Sequence, residues 1–395
     1  MQDLVYPHER IFSVVTLVLG LLAWAALIAG TFGAALVVLA FGFVAYLFAQ
    51  SALIARIKGN GVELSESQFP DLYAQFSACC DRLQIELRPR AYILNGNGSL
   101  NAFATRFLGH QYVVLNSDVV DAMNKQPDGV RFYMGHELGH LRMKHLTGHL
   151  LRWPVLWFPL LGAAYSRAKE STCDRHGSAC CSSPEVAARA LAALSVGASR
   201  WEKLEVNSYL AQARQTPGFW MSFHELVSGY PWLAKRFSRV MDTNAKMPPR
   251  NGFAYLPAFL VPYAGRLGAG FGFLILVYIV AVFAAIAIPA YQDYTIRAKL
   301  TGVLIESQPN LDALGKYYES SRAIPTSLDI AGLKSTLADG SKLSLDAKRM
   351  LLTVHTAHGD LIFVPSAGAD GHVTWSCTNG ERLKPTQLPA SCRKK

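Results

Sequence analysis

Apolar and polar positions alternate between lipid-like and globular patterns along this chain. Ile11 to Gly30 is apolar and uncharged, long enough to span a bilayer as a helix. Gly30 to Gly33 reads as a turn, and Ala34 to Leu53 is a second apolar run, so the pair predicts a transmembrane hairpin. The first run lacks a small-residue cleavage site ahead of a soluble chain, which predicts a retained anchor. From Asn60 to about Pro262 the pattern is globular. Leu72, Phe76, Cys79, Leu83 and Leu87 share one helix face, and Ala91–Leu94 and Tyr112–Leu115 read as strands. Helical spacing then dominates, with a loop at Gln215–Gly218. Trp153 to Ala164 is apolar but short and holds Pro154 and Pro159, which predicts a core or interfacial segment. Phe271 to Ile288 predicts a third span. Beyond Ala290 a polar domain begins as a helix and ends in strand-like runs at Leu351–Val354, Leu361–Val364 and His372–Trp375.

The expected fold is therefore α+β in four parts. A hairpin occupies 1–58, a mainly helical domain with a small sheet 59–265, a membrane helix 266–296, and an α+β globular domain 297–395. Composition agrees with a chain partly dissolved in lipid: 17% of its 395 residues are charged, against about 25% in soluble proteins. Mean hydropathy is +0.19.

The formal net charge of +10 brings anionic partners into view. No dense Lys/Arg block with interleaved aromatics is present, so the excess points to a membrane surface rather than nucleic acid. Arg10 precedes the hairpin, and Arg56 and Lys58 follow it, which by the positive-inside rule places both hairpin ends in the cytoplasm. Lys246, Arg250 and Arg266 lie before the third run, which then carries the chain to the far side. Arg297 and Lys299 beyond it oppose that bias. Seven cysteines are present and none forms a Cys-x-x-Cys pair, which excludes a thiolate zinc ribbon.

Candidate chemistry sits at Gly135-His136-Glu137-Leu138-Gly139-His140. Residues four apart share a helix face, so His136 and His140 can hold one metal ion, with Glu137 beside them to take a proton from water. Zinc suits two nitrogens, one carboxylate and an open fourth position. Glu170 is the candidate third ligand. Asp174, one turn on, could accept a hydrogen bond from the outer nitrogen of a ligand histidine. The metzincin continuation fails, because Met143 and Leu146 stand where Gly and His are needed. His145 and His149 are expected on the opposite helix face as ordinary structural histidines. Cys173 is expected to be a buried thiol, and Cys79, Cys80, Cys180 and Cys181 reduced core residues.

With His-Glu-Leu-Gly-His at 136–140 and Glu-Ser-Thr-Cys-Asp at 170–174, residues 1 to about 240 resemble the forty-eighth metallopeptidase family. That is the HtpX-type and CAAX prenyl protease group of gluzincins. Asn101 to Thr105 adds to the resemblance. It implies a zincin-like fold, one zinc ion, and a substrate cleft lined by Asn101, Ala102, Phe103 and Ala104 with Tyr112–Leu115. Substrate would bind extended at a sheet edge. The family often carries a His-Pro pair followed by an arginine. The matching stretch here is Tyr230-Pro-Trp-Leu-Ala-Lys-Arg236, with tyrosine in place of histidine, so Tyr230 or Arg236 is implied as oxyanion stabiliser. The implied activity is endopeptidase cleavage with Glu137 as proton shuttle.

Ala284 to Tyr294 resembles the N-terminal helix of type IV pilins. Trp375-Ser-Cys377 through Cys392 resembles their disulfide-closed terminal loop, which implies a Cys377–Cys392 bridge and an oxidising compartment. The pilin glutamate position falls on Gly272 and the usual cleavage junction is absent, so the domain is expected to remain attached as a third span rather than polymerise. The whole reads as a bacterial inner-membrane metalloprotease, with its protease domain cytoplasmic and its C-terminal domain periplasmic. Its expected partners are protein substrates, the bilayer, and a pilus or periplasmic component, and its expected role lies in membrane-protein quality control. The rival reading is a pilin-like adaptor with a latent protease domain.

Overall fold

The computed structural model describes residues 4–265, 268–368 and 371–393. It divides into two compact units, Met1–Val277 and Tyr278–Lys395. In the first, helices α1 (Pro7–Gly30) and α2 (Ala34–Asn60) precede strand β1 (Val62–Glu63), helix α3 (Pro70–Arg82) and strands β2 (Arg90–Leu94), β3 (Ala102–Phe107) and β4 (His110–Asn116). Helices α4 (Ser117–Ala122), α5 (Val130–Arg142), α6 (His149–Leu156), α7 (Leu161–Cys180), α8 (Pro184–Val196), α9 (Val206–Ala213), α10 (Phe219–Val227), α11 (Leu233–Met241) and α12 (Tyr255–Ala258) follow. Helix α13 (Gly268–Ser321) runs across the division between the units.

Among the described residues three helices, α1, α2 and α13, are long and apolar enough to cross a membrane. At 1.5 Å per residue, the 24 residues of α1 extend about 36 Å, more than the ~30 Å hydrocarbon layer. Helix α1 also packs on the globular part of its unit. Trp24 Nε1 donates to the Leu150 carbonyl at 2.9 Å and its ring stacks near Trp153. Arg152 donates to Ser13 Oγ, and the Tyr6 amide donates to Thr172 Oγ1 at 2.9 Å. A side chain at Gly20 would collide with the Leu151 carbonyl, so the close approach of α1 to α6 requires glycine.

The first sheet has the order β1-β2-β4-β3. β2 and β4 run parallel, and β3 pairs antiparallel with β4 through the two-residue turn Leu108-Gly109. Both turn residues have positive φ, 45° and 88°, the geometry that suits the right-handed twist of a tight hairpin. β3 is thereby left as the edge strand. The alternation of β4 explains its unbroken apolar sequence. Val113 and Leu115 enter the main core with α3, α5 and α8, while Tyr112 and Val114 pack on Ile54 and Ile57 of α2.

The second unit folds the later part of α13 against an antiparallel sheet, β5 (Lys342–Asp346), β6 (Leu351–Thr356), β7 (Gly359–Ala367) and β8 (Val373–Asn379), in that order. Leu300, Val303, Leu311 and Leu314 meet Leu343, Leu352, Val354, Leu361 and Phe363 to make its core. Cys377 of β8 is bonded to Cys392, with Cα atoms 4.7 Å apart.

Several elements depart from expectation. The helix expected to reach Leu87 ends at Arg82, because Gln84 takes φ 54°, and Leu87 is 71% exposed. The apolar segment 153–164 is broken between α6 and α7 around Pro159, where Leu160 has φ 63°. α13 continues past Ile288 through Pro289 and Pro309 to Ser321. The strand at 342–346 was not expected. Arg266, part of the charge pattern before the third span, lies outside the described residues.

Candidate metal centre and active site

Two helices build the site. α5 carries His136, Glu137 and His140, and α7 carries Glu170 and Asp174. They cross closely because the contact is made of glycines. A Cβ on Gly177 of α7 would lie 2.6 Å from the Phe132 carbonyl oxygen of α5, and one on Gly135 would lie 2.9 Å from the His176 carbonyl. A Cβ on Gly139 would come within 3.3 Å of Cys173 Cα.

At this crossing His136 Nε2 stands 3.3 Å from Glu170 Oε2, and His140 Nε2 stands 3.7 Å from Glu170 Oε1. The other nitrogen of each ring is engaged. His136 Nδ1 lies 3.1 Å from Asp174 Oδ1, and His140 Nδ1 lies 2.9 Å from His145 Nδ1. Asp174 in turn accepts a forked pair from Arg236, Nη2 at 2.6 Å and Nε at 2.8 Å. The forked geometry fixes the carboxylate in plane with the guanidinium.

The spacing of His136 and Glu170 fits two donors of one zinc ion, with His140 Nε2 3.7 Å from the other Glu170 oxygen. Donors about 2.0–2.1 Å from a tetrahedral metal lie about 3.3 Å from one another, which is the His136–Glu170 separation. His136, His140 and Cys173 also form a group whose ligand atoms lie within 4.8 Å of each other. Cys173 Sγ, however, sits 3.6 Å from His145 Nδ1, on the side of His140 already hydrogen-bonded. The two free Nε2 atoms face Glu170 instead. Burial pushes the Cys173 thiol well above its usual range.

The electrostatics follow the same partners. Burial opposes protonation of His136, but the hydrogen bonds and charges of Asp174 and Glu170 more than offset it and push the ring up to about 10. Burial holds His140 well below the ordinary imidazole value. Glu170 is buried, which favours its neutral form, yet His136, His140 and Arg236 bring it down to about 2. Asp174 is driven below the usual carboxylate range, with Arg236 and His136 overcoming its burial. Both carboxylates are therefore charged acceptors.

Glu137 lines a cleft of about 370 Å³ together with His136, His140, Glu170, Tyr230 and Arg236, and Leu100, Asn101 and Ala102 form its wall at the start of β3. A second cavity of about 520 Å³ shares Glu137, His140, Glu170 and Tyr230 and is lined further out by Ala104, Trp153, Trp157, Phe271 and Ile275. Asn101, Ala102 and Ala104 thus border the site. Phe103 does not: its side chain points to the opposite face of the sheet and packs with the α2 cluster, as alternation along a strand requires. Tyr230 is 41% exposed, on the loop after α10. That loop is pinned by Arg167 Nη1, which donates to the carbonyls of Glu225, Leu226 and Ser228 at 2.7, 2.9 and 2.6 Å. Arg236 commits Nε and Nη2 to Asp174, with Nη2 also 3.9 Å from Glu170, a holding position behind the ligands.

His145 departs from expectation. α5 ends at Arg142, Lys144 turns with φ 56°, and His145 folds back onto His140 rather than continuing on the opposite helix face. Its Nε2 lies 2.7 Å from Glu9 Oε1 at the start of α1. Neither residue was expected at the site. The available signal was a carboxylate at the mouth of a membrane helix, where ionisable residues are seldom idle.

The apolar helices and the buried His–Glu crossing are the features expected of a membrane-associated metallopeptidase. The family model described as peptidase family M48 matches residues 66–162, which contain the His136–His140 helix. A fimbrial protein of Pseudomonas aeruginosa is 35% identical over 144 residues, covering 31% of this chain and 92% of that protein. A fimbrial protein of Neisseria meningitidis serogroup A is 26% identical over 151 residues, 30% of this chain and 89% of the relative. A type IV major pilin protein of Neisseria gonorrhoeae is 26% identical over 150 residues, 30% of this chain and 88% of the relative. The N-terminal region therefore carries a segment matching peptidase family M48, and through its C-terminal part the chain belongs with the fimbrial proteins.

Proposed function

We propose that this chain is a membrane-bound zinc metalloendopeptidase that hydrolyses peptide bonds in extended protein segments. The observation that carries this reading is the convergence of His136 Nε2 and His140 Nε2 on the Glu170 carboxylate, with Glu137 lining the same cleft beside the edge of β3. His136, His140 and Glu170 would hold a zinc ion, which would supply Lewis acidity toward a carbonyl and a water molecule. Glu137 accepts a proton from the attacking water and delivers it to the leaving amine as the C–N bond breaks and the new C–O bond forms. The Tyr230 hydroxyl donates to the carbonyl oxygen as charge develops there. Arg236 holds Asp174, and Asp174 holds His136 in the tautomer that leaves Nε2 free.

A substrate strand adds to the open edge of β3 over Asn101–Ala104, so main-chain pairing gives affinity and sequence preference is loose. Charges flanking the spans favour a protease unit on the cytoplasmic side of a bacterial inner membrane and a periplasmic C-terminal domain. The Cys377–Cys392 bond supports the oxidising side for that domain. Its kinship with fimbrial proteins makes a pilus subunit or other periplasmic protein its expected partner, and membrane-protein quality control a role for the whole chain.

The test is cleavage of an unfolded model protein by the full-length chain in detergent, wild type against Glu137→Gln. Loss of about 10²- to 10⁴-fold in rate with zinc still bound is expected. Equal cleavage by both proteins overturns the assignment of Glu137. Zinc without cleavage in either protein favours a pilin-type adaptor whose protease domain is silent.

A further inference from the structure

The two histidines of the centre need the same thing and obtain it differently. A histidine that binds metal through Nε2 must keep its proton on Nδ1 and donate it to an acceptor. For His136 the acceptor is Asp174, directly. His140 has no carboxylate at that distance among the described residues. Its Nδ1 meets His145 Nδ1 at 2.9 Å, and His145 Nε2 meets Glu9 Oε1 at 2.7 Å.

With Glu9 as a carboxylate and both rings neutral, one arrangement of protons satisfies all three groups. The Glu9 carboxylate is an acceptor, so the His145 proton sits on Nε2. His145 Nδ1 then carries a lone pair and accepts from His140 Nδ1–H. His140 Nε2 is left as a lone pair, 3.7 Å from Glu170. Glu9 is 3% exposed and His145 8% exposed, so water does not compete freely for these contacts.

Glu9 belongs to the first membrane helix. Its place is fixed by contacts on either side of it: the Tyr6 amide on Thr172, Val5 accepting from Arg175, and Ser13 accepting from Arg152. We propose that Glu9 is a positioning residue for the metal ligand His140, acting through His145, so that the membrane anchor completes the metal centre. The helix that holds the chain in the bilayer is on this account also part of the site, and the metal is held tightly only when that helix is docked. The inference rests on the zinc centre proposed above and adds a residue outside the matched family segment, 66–162.

The test is zinc affinity, measured by chelator competition on the full-length protein in detergent, for wild type, Glu9→Gln, His145→Phe and the double variant. Loss of about 10- to 100-fold is expected for each single variant, the range for removing an outer partner of a ligand histidine. The double variant should lose no more than His145→Phe alone, because Glu9 acts through His145. The d–d absorption of the cobalt-substituted protein should shift in Glu9→Gln. Wild-type affinity in Glu9→Gln, or losses that simply multiply in the double variant, overturns the proposal. If Glu9→Gln does not fold, His145→Phe reads the same chain from its centre, and normal affinity there overturns it equally. A wild-type protein without zinc would instead refute the centre itself.

Discussion

Substituting Gly177 by alanine tests whether the crossing of α5 and α7 sets the metal geometry. The new Cβ would lie 2.6 Å from the Phe132 carbonyl oxygen and within 3.0 Å of its ring. The nearest obstacle is backbone, so a rotamer change cannot relieve it. Ordinary contact begins at 3.4 Å, and the difference from 2.6 Å requires the helices to part by about 0.8 Å. Glu170 lies on α7, seven residues or about two turns from Gly177, while both histidines lie on α5. A functional metal site tolerates displacements of about 0.2 Å. The expected shift is several times larger, so zinc affinity should fall at least about 10-fold, with overpacking costing about 1–3 kcal/mol of stability. Chelator competition gives the first quantity and thermal unfolding with and without zinc the second. Gly218→Ala is the control, because nothing lies within 4 Å of its Cβ and its φ is −56°. A Gly177→Ala protein that melts normally and binds zinc as tightly as wild type would refute the claim that glycine packing positions the donors.

Asp174→Asn keeps the shape but removes the charge that holds both His136 and Arg236. Zinc affinity should drop about 10- to 100-fold, read by the same competition. Glu225 is 1% exposed and paired with Lys235 at 2.7 Å and Arg250 at 3.0 Å. Burial acts to raise its pKa, but Arg250 and Lys235 hold it below its ordinary value of 4.5. Its stabilisation is therefore complete above about pH 4.5 and is lost as pH falls through the depressed folded value. Glu225→Gln should destabilise the first unit by about 3–5 kcal/mol near neutrality and remove this part of the acid transition, as followed by circular dichroism. Reducing the Cys377–Cys392 bond opens a loop with a sequence separation of 15 and should cost the C-terminal domain about 3 kcal/mol, measured as the shift in its unfolding midpoint with reductant.

The parts of the molecule legible in its sequence are those governed by short-range periodicity. His136 and His140 share a face because they are four apart on one helix, as do Glu170 and Asp174. The three apolar runs are legible for the same reason: each is one element long enough to cross a bilayer. What escaped was set by contacts between distant segments or by single backbone angles. Glu9 and His145 are 136 residues apart, and no local pattern joins them. His145 reaches His140 only because Lys144 adopts positive φ and ends the helix, which periodicity cannot register. The likeness that marks Asn101–Ala104 as cleft-lining includes Phe103, yet strand alternation turns its side chain to the opposite face of the sheet. The motif position of Arg236 implies the oxyanion, and only the fold brings out its forked contact with Asp174, 62 residues away.

The most direct measurement is zinc content and X-ray absorption of the purified full-length chain, for wild type, Glu170→Gln and Cys173→Ser. About one zinc per chain is expected, with nitrogen and oxygen donors near 2.0–2.1 Å, lost in Glu170→Gln and unchanged in Cys173→Ser. Absence of zinc, or a sulfur donor near 2.3 Å that disappears in Cys173→Ser, would contradict it.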